Sequence, residues 1–479
     1  MNENFLPEKK VDKSLLGRDF FIPADLQGIF SFYLRGDFKN MGGKFMIEID
    51  VNIVEIVTNR LFINSLDIFR EYFQNSCDAI DDAIEAGILQ EGDGRIKILL
   101  YKNKDSSRIT IEDNGMGISV RYFKRTMNKI GNSDKSLETD RGFRGIGRLC
   151  GLAYCKKLHL TSTAKGETKF SVMEIDAEKL RREFFRNKNR SAESILQDVI
   201  TFKEGIAKAD EHFFRVELID IVETNEDLLN VEKVRDYLSF AAPVAFSPDF
   251  NFQNEIYKHA ASIDFKITEY KIFVNGEPCF KNYKTKFNTF RNDTDKIFNL
   301  DFREFYDGEK LIAWSWVGLS TFKGVLSEKR DTPDYKMRGI RLRAGNIQIG
   351  DGGVFKNLFR ENRYTKYFIG EVYAVDTNLI PNSRRDYFEE NDACNALETT
   401  LEKYFEELHA RCNNASKERE KSRKTQSNKG IGIIKINRLP KPNWSKECKK
   451  LYNKICKIIR ANPKLSGEEL IRKFEEVIK

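Results

Sequence analysis

The chain is 479 residues long, with 81 Lys and Arg against 73 Asp and Glu and 40% hydrophobic residues. That length suits about two to four domains with cores of their own and excludes a small disulfide-stapled fold. The eight cysteines form no C-x-x-C pair and no Cys/His cluster at zinc spacing, no apolar run is long enough to span a bilayer, and no secretory leader opens the chain; reduced thiols, no structural metal and a soluble, cytoplasmic protein without a membrane span are expected.

Residues 1–44 hold short apolar patches broken by Gly and Pro without a clear period, and read as an irregular N-terminal extension. From Phe45 the pattern becomes regular. FMIEIDV alternates like a strand, and Ile53 to Ala86 has the apolar spacing of a helix, with Gly87 as its stop. RIKILLY and RITIED, separated by the polar KNKDSS, predict a β-hairpin. A further helix is predicted from Val120 to Ile130, followed by the Gly-rich RGFRGIGRLCGLAY, and KLHLTST, KFSVMEI and FRVELIDI then read as strands. The first 222 residues therefore predict an α+β fold, with a mixed sheet on one side and helices on the other.

A second α+β region is expected over 223–412. Its strands include YKIFVNG, LIAWSWVGLS, GIRLRAGNIQIG and FIGEVYAVD, and a helix from Asp392 to about Arg411 closes it. Residues 413–436, poor in apolar residues, read as a flexible linker, and 437–479 as a tail of two short helices split by Pro463. Charge is distributed unevenly along the chain. Residues 413–479 carry 19 Lys and Arg against 7 Asp and Glu, a net +12, which leaves 62 against 66, a net −4, for residues 1–412. A basic tail is the footprint of a nucleic-acid or acidic partner, and a solvated helix face accounts for it equally well.

Chemistry concentrates in three stretches. In REYFQNSCDAIDD, Glu71 and Asn75 lie four residues apart and Asp78 three further on, so they project from nearly one helix face while Phe69, Tyr72, Phe73, Ile80 and Ile84 supply the buried side. In ITIEDNGMGIS a strand delivers Asp113 into a turn with Gly115 and Gly117, which puts a carboxylate at a sheet end where a flat ligand can approach the backbone. In RGFRGIGRL, Gly142, Gly145 and Gly147 precede an apolar run, the pattern of a loop whose backbone N–H groups face phosphate oxygens.

In this order and spacing the three stretches resemble the N box and the two glycine boxes of the ATPase superfamily named for gyrase, heat-shock protein 90, histidine kinases and MutL. From Phe45 to about Leu152 the chain looks most like the start of heat-shock protein 90 chaperones, with their E-x-x-x-N-S-x-D-A core. The resemblance implies a Bergerat-type ATPase sandwich over 45–222, an α+β middle (transducer-like) domain and a short helical tail, with ATP and Mg²⁺ as ligands. It makes Glu71 the general base for the attacking water, Asn75 the magnesium ligand, and Asp113 the acceptor of the adenine amino group, with Gly115 and Gly117 beside it. Asp78 is implied near the adenine end, Asn128 near ribose and phosphates, and Gly142, Gly145 and Gly147 in the lid over the phosphates.

Two departures from the chaperone pattern stand out. Phe213 and Phe214 occupy the place of a Gly-Thr whose threonine helps to hold adenine, and Arg148 replaces an aromatic residue, within a GFRG string closer to MutL. Later, GEVYAVDTNLIPNSRRDYFEEN resembles the chaperones' middle-domain segment whose arginine reaches the γ-phosphate; the matching residue is Arg385, before Asp386, with Arg384 in the serine position. Arg341 and Arg343 then read as structural or phosphate-side residues. Beyond about Leu397 the resemblance ends, and the chaperones' large C-terminal dimerisation domain is not expected. The function implied is an ATPase that couples Mg-ATP binding, lid closure and nucleotide-dependent homodimerisation to remodelling of a protein client. The alternative is an ATP-gated clamp on nucleic acid of the MORC or MutL kind, favoured by the basic tail. A histidine kinase is disfavoured, because none of the four histidines sits in a phospho-acceptor context.

Overall fold

The computed structural model describes residues 64–128, 147–186, 190–290, 293–326, 329, 332–382 and 385–430. The expected strand FMIEIDV, the loop with Gly142 and Gly145, Arg384 and the tail helices lie outside these residues. Helix α1 (Asp67–Glu85) begins after a turn in which Asn64 Oδ1 accepts from the Leu66 amide. The stretch Asn64 to Leu66, expected as helix, is therefore the helix entry. One side of α1 buries Ile68, Phe69, Tyr72, Phe73, Cys77 and Ile80. Each such side chain contributes about 1.5–3 kcal/mol.

The expected hairpin forms from β1 (Arg95–Lys102) and β2 (Ser107–Asp113), with Ile96 opposite Asp113. Next come α2 (Val120–Asn128), β3 (Cys155–Thr163), β4 (Lys169–Asp176), α3 (Ala177–Arg186), α4 (Ala192–Val199), β5 (Ile200–Ile206) and β6 (Phe213–Ile221). Helices α3 and α4 and strand β5 escaped the sequence reading. Their apolar residues are few and spaced at short range, too few to set a period.

Past residue 222 the chain adds α5 (Val231–Ala241), α6 (Gln253–Ser262), β7 (Lys271–Val274) and β8 (Glu277–Pro278). Strand β7 was expected in the second region, but with β8 it extends the first sheet. Its order is β5-β4-β3-β6-β2-β1-β7-β8, antiparallel except that β7 runs parallel to β1, with Ile96 beside Ile272. A parallel partner more than 170 residues away leaves no local signal. The first sheet therefore continues beyond the boundary expected at 222.

The second region contains β9 (Lys286–Asn288) paired with β10 (Thr294–Lys296), and a five-stranded sheet of β11 (Asn299–Asp307), β12 (Lys310–Leu319), β13 (Gly339–Ala344), β14 (Ile347–Ile349) and β15 (Ile369–Ala374) in the order β11-β12-β15-β13-β14. The β13–β14 hairpin turns at Gly345 and Asn346, both at positive φ, as a two-residue mirror-image turn demands. Helix α7 (Asp392–Gly430) packs Leu397, Leu401, Tyr404, Phe405 and Leu408 into this region's core. It runs on where a linker was expected from residue 413: good helix formers extend it although few apolar residues remain to be buried.

Where the two regions meet, a charge cluster is fully buried. Lys281 Nζ donates to Glu371 Oε2 at 2.9 Å, to Asn346 Oδ1 at 2.8 Å and to the Tyr373 hydroxyl at 3.0 Å. Arg343 pairs with the other oxygen of Glu371 and donates to the Phe240 carbonyl of α5 at 2.9 Å. Burial and the Arg343 charge pull the Lys281 ammonium down to about 7, while Glu371, buried as well, is held at about 2 by Arg343 and Lys281. Arg343 is thus structural, one of the two roles read for it. Glu371→Gln leaves two buried cations without their counter-ion and is expected to cost about 3–5 kcal/mol, measured by urea unfolding.

Candidate functional site

Strand β2 ends at Asp113, and the turn after it is docked on α1. The Met116 amide donates to the Ala79 carbonyl at 2.8 Å, and a Cβ on Gly115 would sit 2.6 Å from the Ala79 carbonyl carbon. Gly117 has φ +67, and a Cβ there would meet the Thr163 carbonyl oxygen at 2.0 Å. Both glycines are therefore demanded by the fold as well as by any ligand. Asp113 is almost completely buried; its carboxylate accepts from the Gly115 amide at 2.9 Å and is also bonded by the Ser76 side chain and the Phe214 amide. Burial outweighs these donors and pushes Asp113 up to about 7.

On α1, Glu71 and Asn75 are partly exposed and Asp78 is buried, so the three acceptors do share the expected side of one helix. Three groups surround the Glu71 carboxylate. Arg70 Nε lies 4.0 Å from its Oε1, Arg385 Nε lies 3.7 Å from the same oxygen, and a Cβ on Gly147 would fall 2.8 Å from its Oε2. Gly147 opens a 3₁₀ segment, Gly147–Ala153, which Tyr72 of α1 anchors: its hydroxyl accepts from the Gly151 amide at 2.9 Å. The glycine-rich stretch therefore ends against Glu71.

Arg385 comes from the second region in a backbone conformation that arginine seldom takes, with φ +52. Its amide donates to the Asn382 carbonyl at 2.9 Å, its carbonyl accepts from the Gly350 amide at 2.8 Å, and Asn382 also binds the Asp386 carboxylate at 2.6 Å. A tight turn thus holds a locally unfavourable geometry that aims the guanidinium at α1, and such outliers gather at functional sites. Asn128 is exposed at the end of α2. Gly142 and Gly145 lie outside the described residues.

Arg70, Ser76 and Thr163 were not singled out from the sequence, and Tyr72 was read only as part of the buried side of its helix. Ser76 had a signal, since it directly follows Asn75 in the motif; Arg70 and Thr163 declare themselves only by what they touch. Phe213 and Phe214, where the chaperones' Gly-Thr was missed, meet the site by their backbones: the Phe214 amide binds Asp113, and the Phe213 carbonyl accepts from Ser162, whose oxygen accepts from the Ile118 amide.

A divalent cation fits this donor set only in company. Asn75 offers one amide oxygen, partly exposed, one turn along α1 from Glu71, and magnesium binds through one or two protein oxygens together with phosphates and water. Among the described residues, no group of three or more His, Cys, Asp and Glu forms a metal cage.

Residues 68–205 match the family described as histidine kinase-, DNA gyrase B- and HSP90-like ATPase. The chain is also similar to chaperone protein HtpG of Polaromonas sp., 33% identical over 85 residues, which is 17% of this chain and 14% of that protein. HtpG of Buchnera aphidicola is 33% identical over 88 residues, covering 18% and 14%, and HtpG of Shewanella sediminis 28% over 130 residues, covering 24% and 20%. The matches therefore span a fifth or less of these relatives' length. The resemblance read from the motifs to that ATPase superfamily is thus found independently over residues 68–205, the HtpG matches agree with its heat-shock protein 90 branch, and the mixed α+β structure agrees with that fold.

Two outcomes follow from the geometry. Gly147→Ala forces a methyl group against the Glu71 carboxylate and is expected to lower ATP turnover at least about tenfold with a smaller effect on ATP affinity, read by steady-state kinetics and calorimetry. An amino donor needs the ionised form of Asp113, so ATP affinity is expected to fall as pH drops below about 7; in Asp113→Asn, weakened throughout, this dependence is expected to vanish.

Proposed function

We propose that this chain is a magnesium-dependent ATPase in which the second region completes the site made by the first. The observation that carries the reading is the approach of Arg385 to Glu71, between residues far apart in sequence, beside Gly147, where an added Cβ would lie 2.8 Å from the Glu71 carboxylate. In this reading Asp113 accepts from the adenine amino group, in a pocket lined by the Gly115 and Gly117 turn. Asn75 holds magnesium, which when bound offsets the charge of the phosphates. Glu71 orients a water molecule and takes its proton as the water oxygen bonds to the γ-phosphorus and the bond to the leaving ADP oxygen breaks. Arg385 supplies positive charge to the transferring phosphoryl group, and Asp78 and Asn128 line the adenine and ribose sides.

Positioning and charge account for most of phosphoryl transfer, so hydrolysis here serves as a timer for a change of shape. The glycines at 142, 145 and 147 close over the nucleotide, two chains associate through their ATPase domains while it is bound, and the change acts on a protein client. The partial likeness to HtpG chaperones supports a client of that class. A nucleic-acid clamp is the second reading, supported by the net +12 of residues 413–479; ATP-dependent retention on closed circular DNA that is lost on deleting those residues would select it.

Glu71→Ala is expected to abolish turnover and leave ATP affinity within about threefold of the parent, and Arg385→Ala to lower kcat about a hundredfold with affinity little changed. Wild-type turnover in the first variant rejects Glu71 as the base. Failure of the parent protein to bind ATP rejects the whole reading.

A further inference from the structure

Helix α1 carries polar groups on a second face. Asp67, Gln74 and Asp81 follow one another at seven-residue steps, which keeps them nearly in line along the helix, and Arg70 lies beside them. On this face the segment following the first 222 residues grips the helix at both ends. The Tyr237 hydroxyl of α5 donates to Asp67 Oδ1 at 2.9 Å, and the Tyr270 hydroxyl donates to Asp81 at 2.6 Å.

Between the two anchors, Arg70 is shared. It is almost fully buried, with Nη1 3.8 Å from Asp67 Oδ1 and Nε 4.0 Å from Glu71 Oε1, and among the described residues that Nε has no hydrogen-bond partner. Asp67 stands three residues before Arg70 and four before Glu71, the spacings at which helix side chains meet. A buried guanidinium placed between two carboxylates, and close-bonded to neither through Nε, responds to small movements of either. Asp67 is held by the Tyr237 hydroxyl, as Glu71 is approached by Arg385.

The residues around Tyr237 are tied in turn to the second region. Asp236 pairs with Lys336, and the Phe240 carbonyl accepts from Arg343 of the buried charge cluster at 2.9 Å. We propose that Tyr237 is a positioning residue for Glu71: by holding Asp67 it fixes how far Arg70 leans towards the Glu71 carboxylate, so that the seating of α5 against the second region sets the readiness of the base. The inference rests on the reading of Glu71 as base. It adds a route from the second region to that base separate from the direct approach of Arg385.

The test uses the full chain and five variants. Tyr237→Phe removes one hydroxyl and keeps the ring; kcat is expected to fall about tenfold, with the ATP dissociation constant within about twofold of the parent. Asp67→Asn is expected to give a similar fall, and the double variant no more than the worse single one, because both break the same bond. Tyr270→Phe loosens the other end of the helix and is expected to leave kcat within about twofold. Additive losses in the double variant, an equal loss in Tyr270→Phe, or an affinity that weakens in step with kcat would overturn the proposal in favour of general loosening of α1. Glu71→Gln, measured alongside, separates the two ideas. If it keeps turnover, the base assignment fails and this inference with it; if it loses turnover while Tyr237→Phe matches the parent, the inference alone fails.

Discussion

The carboxylate of Glu71 is where the separate parts of the molecule converge. It stands on a helix whose opposite side is sealed into the first core, it closes off the space beside Gly147, and guanidinium groups approach it from its own helix and from the second region, at 4.0 Å and 3.7 Å. A single charged group beside the end of the glycine-rich stretch, a helix neighbour and a distant turn joins three parts of the molecule at one point.

Assembly of those parts depends on charge placed where the interior would prefer none. Lys281, Arg343 and Glu371 are buried together where the first region meets the second, and each finds partners in different elements. Replacing such a cluster by apolar residues often leaves stability unchanged or improved, whereas removing one member is severe, so its service is to fix one geometry. Here the geometry fixed is that of α5 against β13 and β15, and α5 carries Tyr237 to the N-terminal turn of α1. The strained turn at Arg385 is a second instance of the same trade, local cost accepted for a fixed direction.

Asp113 shows how a site can be tuned by burial. Three hydrogen bonds favour its ionised form, yet its removal from water raises it to about 7. A hydrogen-bond donor brought to this carboxylate would favour its ionised form. The neighbouring Gly115 and Gly117 are packed against Ala79 and Thr163, so the turn that follows Asp113 admits no side chain at either position.

Local pattern carried much of this in the sequence. The apolar stripe of α1, the alternation of β1 and β2 and the delivery of Asp113 into a glycine turn are short-range features whose periodicity is written in consecutive residues, and with them the common face of Glu71, Asn75 and Asp78. Tertiary structure alone decided the rest: the pairing of β7 with β1, the burial of Lys281 and Arg343 in one cluster, the hold of Tyr237 on Asp67, and the choice of Arg70 and Thr163 as neighbours of the site. Those contacts join residues tens to hundreds of positions apart, and which polar groups meet inside a folded chain is settled by how the layers pack, a property that no window of neighbouring residues contains.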